Sequence, residues 1–283
     1  MKVGFLTRYS EERVKFAKEA GSDCLELNTA PGSSLDFDKL SKDDTQKIKK
    51  VLDDNGIEAT TVLCPGNHLD PDDAKRQKNI DYFVKVMERC KEIGTSVISC
   101  NTWGDRDKPP KDNLAIYKEV FSYYAEVAEK NQVKIAMENC PHAGGYPFRI
   151  GNIGYSPEMW DLLFEAVPSE TIGLEYDPSH LVWLGIDYIK AIRNYGDRIY
   201  AVHAKDTEIL QDELAYKGIF GRGWWRYRIP GWGIIDWKSI FCALNDVSYN
   251  DSVVIEHEDP VFGEERTDEG LKLGLRFLRN FMV

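Results

Sequence analysis

The stretch Ile135-Ala-Met-Glu-Asn-Cys140 is a short apolar run that ends in polar groups, and it predicts a buried strand with Glu138 at its tip. Three later apolar runs also end in a residue that can bind a metal, and their tips are Asp177, His203 and Glu256. No short motif joins these four residues, which we call the quartet, because they are far apart in the chain. A parallel barrel gathers the C-terminal ends of all its strands on one face, and it would bring the quartet together.

Strand and helix signals alternate along the whole chain. The predicted strands are Lys2–Thr7, Cys24–Thr29, Ile57–Leu63, Ser96–Thr102, Lys134–Cys140, Ile172–Tyr176, Ile199–Ala204 and Ser252–His257. A helical segment follows each strand, so the chain holds about eight strand–helix units, which predicts an α/β fold made of a single (β/α)8 TIM barrel over residues 1–283. A doubly wound open sheet is the structural alternative, but no glycine-rich phosphate turn follows the first strand.

Side-chain alternation within the strands predicts which positions face the barrel interior. In the fifth, seventh and eighth strands, the residue two positions before the polar tip is Ala136, Ala201 or Val254. These side chains are small or branched and suit a barrel interior. The sixth strand differs, because the residue two before Asp177 is the charged Glu175. Either a bulge shifts the register there, or Glu175 joins the site.

The composition limits the classes of function. The net charge is −11, which is a poor match to nucleic acid or an anionic membrane, because neutralising phosphates takes clustered Lys and Arg. The N-terminal apolar run is too short for a signal peptide, and no run of about 18 apolar residues could span a membrane. The six cysteines form no C-x-x-C pair. We expect a cytoplasmic protein with reduced thiols and no nucleic-acid or membrane partner.

Three carboxylates and one imidazole form a ligand set for a divalent cation. We expect one ion per chain, Mn²⁺ by preference, with Mg²⁺, Co²⁺ or Zn²⁺ as alternatives. No thiolate belongs to the set, so a cysteine-rich structural zinc site is not expected. A divalent ion makes a C–H bond beside a ketone and a hydroxyl more acidic. Glu138 and Glu256 could then remove a proton on one face and return one on the other, which is isomerisation or epimerisation through an enediolate.

Five segments resemble the xylose isomerase-like TIM-barrel superfamily of sugar isomerases and epimerases, over roughly residues 1–282. They are Met137-Glu-Asn139, Asp177-Pro-Ser-His180, Val202-His203, Ile255-Glu256 and the loop Arg228-Ile-Pro-Gly-Trp-Gly233. The resemblance implies one divalent metal held by the quartet, with Glu138 and Glu256 as the acid/base pair. It also implies that His180 and Arg228 hold substrate oxygens, and that Asp206 orients Arg228 or a ligand.

Further residues near the strand ends are candidates for the mouth of the barrel. His68 and Trp103 follow the third and fourth strands, and His142 follows Glu138 in a loop that continues through Gly144-Gly145-Tyr-Pro-Phe148. We expect these three side chains to contact the substrate, although each alone also fits an ordinary loop residue. Aromatic rings crowd the loop after the seventh strand, where they could cover a sugar: Trp224, Trp225, Tyr227 and Trp232. Their number favours a keto-sugar that carries a substituent.

The same residues are compatible with other functions. A lyase acting on 3-keto-glycosides would use the same quartet. Abasic-site endonucleases of the same superfamily hold three zinc ions and also resemble this chain at His68 and His180, but they need a histidine where this chain has Trp103 and a D-x-H pair where it has Arg228-Ile-Pro. A non-catalytic barrel that serves as a partner subunit fits poorly with an intact quartet. Which sugar reacts is open, and a homo-oligomer is compatible with the sequence.

Overall fold

Eight parallel strands close into a barrel in the computed structural model, which describes residues 1–144 and 149–282. The strands are β1 (Lys2–Arg8), β2 (Cys24–Asn28), β3 (Glu58–Leu63), β4 (Val97–Cys100), β5 (Lys134–Glu138), β6 (Ile172–Tyr176), β7 (Ile199–His203), β8 (Asp206–Ile209), β9 (Trp225–Arg228) and β10 (Ser252–Ile255). The order around the barrel is β1-β10-β7-β6-β5-β4-β3-β2, and β8 and β9 form a separate sheet. The predicted TIM barrel is therefore confirmed.

Helices lie between the strands along the chain. They are α1 (Glu11–Ala20), α2 (Lys42–Asn55), α3 (Asp73–Arg89), α4 (Leu114–Asn131), α5 (Pro157–Ala166), α6 (Pro178–Leu184), α7 (Tyr188–Tyr195), α8 (Gln211–Lys217), α9 (Trp237–Asp246) and α10 (Thr267–Leu278). Within the described ranges, no helix is both long and apolar enough to cross a membrane.

Capping groups explain where the first two helices begin and end. The Ser10 hydroxyl accepts a backbone N–H at the start of α1, and Ser41 and Asp44 form a reciprocal capping box at the start of α2. Gly21 and Gly56 end these helices in the left-handed conformation, with φ of 77° and 69°. Both helices therefore end sharply, and the chain returns directly to the barrel for the next strand.

The main hydrophobic core lies between the barrel and the surrounding helices. Trp160 and Trp237 are among its largest buried side chains. A separate and much smaller apolar cluster consists of Val97, Ala136 and Ala201, on β4, β5 and β7. Because side chains alternate along a strand, the next positions on the same face are two residues further on, and all three are polar. The barrel interior thus changes from apolar to polar toward the C-terminal ends of its strands.

The irregularity predicted at the sixth strand has two parts. The register between β6 and β7 shifts between Leu174 and Glu175, as at a bulge. Glu175 is also fully buried, and its carboxylate contacts His203 and Ser99. The strand is therefore irregular, and Glu175 also joins the residues around the site.

The segment after β7 differs from the long loop that the sequence predicts. Strands β8 and β9 pair antiparallel, from Asp206 with Arg228 to Ile209 with Trp225, and α8 lies between them. A second unpredicted element is the short helix α6, which begins directly after Asp177. The hairpin brings its second strand next to α6, and this contact builds one side of the site described below.

Candidate metal centre and active site

The quartet meets at the C-terminal end of the barrel. Glu138 ends β5, His203 ends β7, Asp177 follows β6 and Glu256 follows β10. One ligand atom from each residue lies within 4.8 Å of the ligand atoms of the others. Three members are buried, and Glu256 is partly exposed. The fold therefore brings together four groups that are far apart in the chain.

Buried polar atoms without partners show that the quartet suits a cation. Asp177 Oδ2 and His203 Nδ1 are both buried, and neither makes a hydrogen bond of acceptable geometry with a described residue. The other Asp177 oxygen accepts the Ser179 N–H at 2.8 Å, which leaves Oδ2 for the quartet. Both atoms have charged neighbours but no hydrogen bond, and a divalent ion would coordinate both, so the residues present fit the metal that the sequence implies.

The two oxygens of Glu138 have different surroundings. Oε2 accepts a hydrogen bond from the Asn101 amide at 2.7 Å, whereas Oε1 lies 3.6 Å from His203 Nδ1 and 3.7 Å from His180 Nε2. Burial alone would raise the pKa of Glu138, but the neighbouring His180 and His203 hold that pKa well below its ordinary value. Glu138 is therefore a charged group whose Oε1 faces both histidines, while Asn101 fixes its orientation.

Lys205 enters the same cluster, although the ligand pattern in the sequence gives it no role. Its ammonium group is 1% exposed, lies 3.2 Å from Asp177 Oδ2 and 2.9 Å from Glu258 Oε2, and also contacts Glu256 Oε2. Burial opposes the charge, but these carboxylates, Glu256 first, raise the pKa of Lys205 well above its ordinary value. One buried cation thus pairs with two members of the quartet. Lys205 is two residues after His203, so alternation along a strand predicts that both side chains face the same side, and this spacing could have indicated Lys205.

Two buried carboxylates lie behind His203 inside the barrel. His203 Nε2 is 3.1 Å from Glu26 Oε2 and 3.4 Å from Glu175 Oε1, while Nδ1 faces the quartet. Ser99 Oγ donates to Glu175 Oε2 at 2.6 Å. Burial and the adjacent Glu26 raise the pKa of Glu175 well above its ordinary value. An N–H donated from Nε2 to this pair leaves the lone pair of Nδ1 toward a metal, which is how outer partners orient ligating histidines.

His180 connects the quartet to the hairpin. Its Nδ1 lies 2.7 Å from the Tyr227 hydroxyl, and its Nε2 lies 3.2 Å from Asp177 Oδ2. Cys140 stands beside it, since Glu138, Cys140 and His180 form a second group whose ligand atoms all lie within 4.8 Å of one another. We call this group the thiol cluster. The quartet itself contains no thiol, as expected, but the Cys140 thiol lies directly beside it.

Arg228 is almost fully buried and is held by two carboxylates. Nε donates to Asp259 Oδ2 at 2.9 Å, and Nη1 donates to Glu208 Oε2 at 2.5 Å. The guanidinium carbon also lies over the Trp232 ring, 5.5 Å from its centroid. Nη2 forms no hydrogen bond with a residue of the described ranges.

Asp206 is held in place by four hydrogen bonds that it accepts. This carboxylate is fully buried, and it accepts the N–H groups of Thr207, Gly231 and Ile235 and the indole N–H of Trp237. A Cβ at Gly233 would lie 2.2 Å from Asp206 Oδ1, so a residue without a side chain is needed there. Asp206 therefore holds the loop that follows Arg228, and its predicted role toward the substrate or Arg228 stays a prediction.

Aromatic rings of the hairpin form one wall of the site. Trp225 stacks on Trp183 of α6, with centroids 4.6 Å apart and planes 7° apart, and it also contacts Tyr227 at 4.7 Å. The other two predicted rings differ in exposure, because Trp224 is buried and Trp232 is about half exposed. Tyr227 is the ring of this wall that contacts His180, and Trp183 is a member that the loop sequence alone does not indicate.

Trp103 and His142 lie together beside a cavity. Their rings meet edge to face with centroids 4.7 Å apart, and they line a cavity of ≈ 200 Å³ with Asn67 and Arg106 among its other walls. His142 has a φ of 45°, which is uncommon for a residue other than glycine, and its ring neighbours the Cys140 thiol. These two predicted residues therefore share one side of the mouth. Residues 145–148 of the same loop lie outside the described ranges.

The structure places His68 in the helix layer. Its side chain is buried, its ring packs against Phe83 and Tyr124, and its Nδ1 lies 2.9 Å from the Tyr124 hydroxyl. Burial lowers the pKa of His68 to about 4. Because Phe83 belongs to α3 and Tyr124 to α4, His68 packs as a neutral residue of the helix layer, and its contact with the substrate stays a prediction.

Comparisons with known proteins cover almost the whole chain. The family model described as a xylose isomerase-like TIM barrel matches residues 14–281. The inosose dehydratase of Geobacillus kaustophilus is 30% identical over 83% of this chain and 79% of its own. Among solved structures, the IOLI protein with a binding zinc atom has a TM-score of 0.75 and 18% identity, over 99% of this chain and 98% of its own. The 3-keto-D-glucoside 4-epimerase YcjR from E. coli has a TM-score of 0.73 and 16% identity, over 99% of both chains.

Proposed function

Because the chain belongs to the family of xylose isomerase-like TIM barrels, we propose that this enzyme isomerises or epimerises a keto-sugar or keto-glycoside at a carbon next to the ketone. The reaction removes a proton from that carbon to give an enediolate, and it returns a proton either to the opposite face or to the neighbouring carbon. Two similar proteins carry the names inosose dehydratase and 3-keto-D-glucoside 4-epimerase, which supports a polyhydroxylated ketone as the substrate class.

The observation that carries this proposal is the entry of two glutamates into one cluster from different strands. Glu138 comes from β5 and Glu256 from the end of β10, and β6 and β7 lie between these strands in the barrel. Glu138 Oε1 and Glu256 Oε2 lie 3.6 Å and 3.3 Å from His203 Nδ1, so both carboxylates border the same small volume. Two such groups can act as base and acid on one substrate.

A divalent ion held by the quartet would supply Lewis-acid polarisation of the ketone oxygen and of the adjacent hydroxyl. The residues of the chain transfer the protons and position the substrate. One glutamate accepts the proton of the C–H bond, and the other returns a proton. His180 and the Nη2 of Arg228 hold substrate oxygens, and Trp225 and Tyr227 exclude water from one side of the site.

Proton NMR in D₂O tests the proposal. Metal-loaded enzyme is incubated with a panel of ketohexoses, inososes and 3-keto-glycosides, and the carbon that gains deuterium is the reacting carbon. We expect deuterium next to the ketone of at least one member, together with the signals of an epimer or an aldose. No exchange with any member of the panel by protein that retains its metal would contradict the proposal.

Elimination is the second candidate, because the curated relative with 30% identity is an inosose dehydratase. Removal of the same proton can expel a hydroxyl or an alkoxyl group from the next carbon, if an acid protonates the leaving oxygen. Lys205 and His180 are buried groups that could donate this proton. Elimination produces an unsaturated ketone and a separate leaving group, whereas isomerisation keeps the mass of the substrate, so mass spectrometry of the products distinguishes the two reactions.

We expect each chain to bind one divalent ion tightly at the quartet and to be stabilised by it. At a free ion concentration of 100 Kd, binding adds about 2.7 kcal/mol to the free energy of unfolding. Thermal melts of EDTA-treated protein with and without Mn²⁺, and metal analysis after desalting, measure both effects. The same assay with Mg²⁺, Co²⁺ and Zn²⁺ ranks the ions. Three zinc ions per chain that are all needed for activity would instead support an endonuclease.

Replacing Arg228 by alanine is expected to lower kcat/KM by about 2–4 kcal/mol of transition-state stabilisation, because a charge-assisted bond from Nη2 is lost in a site with little water. Arg228→Lys keeps a charge beside Asp259 but lacks the planar fork, so it should recover only part of the loss. Metal content should not change, since Arg228 is no member of the quartet. Thermal melts show whether the alanine variant is also destabilised by the unpaired Asp259. Wild-type kcat/KM in both variants would disprove this role.

A further inference from the structure

The thiol cluster has the size of a metal site. Glu138, Cys140 and His180 each place one ligand atom within 4.8 Å of the other two. Zinc bonds of about 2.3 Å to sulfur and about 2.0 Å to nitrogen put these two ligand atoms about 3.5 Å apart in a tetrahedral site. Movements of about 1 Å would therefore complete the geometry, and water can fill a fourth position, as it does in zinc sites with three protein ligands.

The environment of His180 points independently to a ligand in this cluster. The ring is fully buried, and Nε2 makes no hydrogen bond of acceptable geometry with the described residues. Nδ1 lies 2.7 Å from the Tyr227 hydroxyl. A histidine that binds a metal through one nitrogen donates the N–H of the other to an outer partner, and Tyr227 is positioned to accept it. The buried Nε2 thus has carboxylate contacts, Asp177 Oδ2 at 3.2 Å and Glu138 Oε1 at 3.7 Å, neither of which satisfies it as a hydrogen bond.

We propose that the thiol cluster is a second cation centre, specific for thiophilic divalent ions such as Zn²⁺ or Cd²⁺. The two centres differ in chemistry, because the quartet offers oxygen and one imidazole nitrogen, whereas the thiol cluster offers a sulfur ligand, which soft ions prefer. The cavity lined by Trp103 and His142 lies next to this cluster, since His142 neighbours the Cys140 thiol.

Occupation of the second centre inhibits the enzyme, because the two centres share Glu138. Glu138 Oε1 lies 3.6 Å from His203 Nδ1 on the quartet side and 3.7 Å from His180 Nε2 on the thiol side. An ion at the thiol cluster therefore competes for this oxygen, and it also removes His180 from the substrate. The inhibition rests on the proposed function, whereas the binding of the ion does not.

Cadmium titration of the Mn²⁺-loaded protein tests the binding. A cadmium–thiolate bond gives a charge-transfer absorption band, and the quartet contains no sulfur to produce one. Cys242→Ser serves as the parent protein, because Cys242 is an exposed thiol in α9 that could bind cadmium by itself. We expect one equivalent of Cd²⁺ per chain to saturate the band in this parent, with the Mn²⁺ retained. Adding Cys140→Ser should abolish the band.

A second variant separates the centre from a lone reactive thiol. Tyr227→Phe removes the acceptor of the Nδ1–H, so it should weaken cadmium binding about 10–100-fold while the band remains at saturation. An unchanged band in the Cys140→Ser protein would overturn the proposal, and so would unchanged cadmium affinity in Tyr227→Phe. Mn²⁺-dependent stabilisation in thermal melts shows that each variant folds and keeps its quartet.

Activity assays test the inhibition separately. With a substrate identified by the exchange experiment, Zn²⁺ should inhibit the Mn²⁺-loaded parent, and Cys140→Ser should need at least about tenfold more Zn²⁺ for the same inhibition. Equal inhibition of both proteins would show that Zn²⁺ acts at the quartet, and it would disprove the inhibitory role. If no substrate of the panel reacts, the proposed function fails, but the absorption band and the cadmium stoichiometry still decide whether the second centre exists.

Discussion

Replacing Glu256 by glutamine is expected to lower turnover by about 10²–10⁴-fold, because an amide can still offer an oxygen to the metal but cannot accept a proton. Glu256 Oε2 lies 3.3 Å from His203 Nδ1, within the quartet. Burial raises the pKa of Glu256, but Lys205 holds that pKa below its ordinary value, so the carboxylate is charged and able to act as a base. Glu138→Gln should lower turnover in the same range, and both variants should keep the fold.

Glu258→Gln is the matched control for Glu256→Gln. Glu258 lies in the same segment, pairs with the same Lys205 at 2.9 Å and loses the same charge, but it is exposed and is no member of the quartet. We expect turnover near that of the wild type. Solvent deuterium exchange without product in one of the two quartet variants would support separate acids on separate faces. Full activity in Glu256→Gln or in Glu138→Gln would end the two-glutamate proposal.

Replacing Lys205 by methionine is expected to destabilise the metal-free protein by about 3–5 kcal/mol, because removal of one partner leaves buried carboxylates uncompensated. The Lys205 ammonium is 1% exposed and pairs with Asp177 and Glu256 of the quartet. These carboxylates repel one another once the ammonium is gone. A bound divalent ion supplies positive charge at the same place, so saturating Mn²⁺ should recover much of the loss.

Urea unfolding at zero and at saturating Mn²⁺ measures both parts of this prediction for Lys205→Met. Lys217→Met is the control, because Lys217 pairs with Glu213 on the surface of α8, where such a pair contributes only about 0–1 kcal/mol. Equal stability of the wild type and Lys205→Met without metal would disprove the structural role of this ammonium. A loss of the same size with and without Mn²⁺ would show that the metal does not replace the missing charge.

The barrel can be predicted from the sequence because each strand is a short apolar run and the helices between them have local signals. The ends of α1 and α2 follow from Ser10, Ser41, Gly21 and Gly56, whose effects act within a few residues. The β8–β9 hairpin is not predictable in this way, because its two strands are separated by α8 and pair only through the tertiary fold. Helix α6 is not predicted from the sequence, because it is short and begins inside the Asp177-Pro-Ser-His180 motif.

The residues of the candidate site also differ in whether the sequence predicts them. The quartet can be predicted because the C-terminal ends of all strands in a parallel barrel lie on one face, so residues at these ends come together. Lys205 and Cys140 have the strand parity of His203 and Glu138, but lysine is rarely buried and cysteine is often a small core residue, so their types give no hint of a site.

The surroundings of Asp206 and His68 could not be predicted for a different reason. The acceptor role of Asp206 depends on N–H groups that converge on it only when the loop after Arg228 is closed. His68 follows a strand end, but the chain there turns into the helix layer and packs its ring against Tyr124. Neither the loop closure nor the direction of that turn has a local signal in the sequence.

Moving this site into another barrel would take more than the four residues at its rim. Glu26 on β2 and Glu175 on β6 reach His203 on β7 across the interior, and Ser99 on β4 fixes Glu175. A recipient barrel with leucine at the positions of the two glutamates would present the same ligands but leave the imidazole free to flip between its two nitrogens. Transferring the site therefore requires residues from the whole cross-section of the barrel, including strands that supply no ligand. A redesign that changes only the rim would leave the orientation of the His203 imidazole to the existing interior residues.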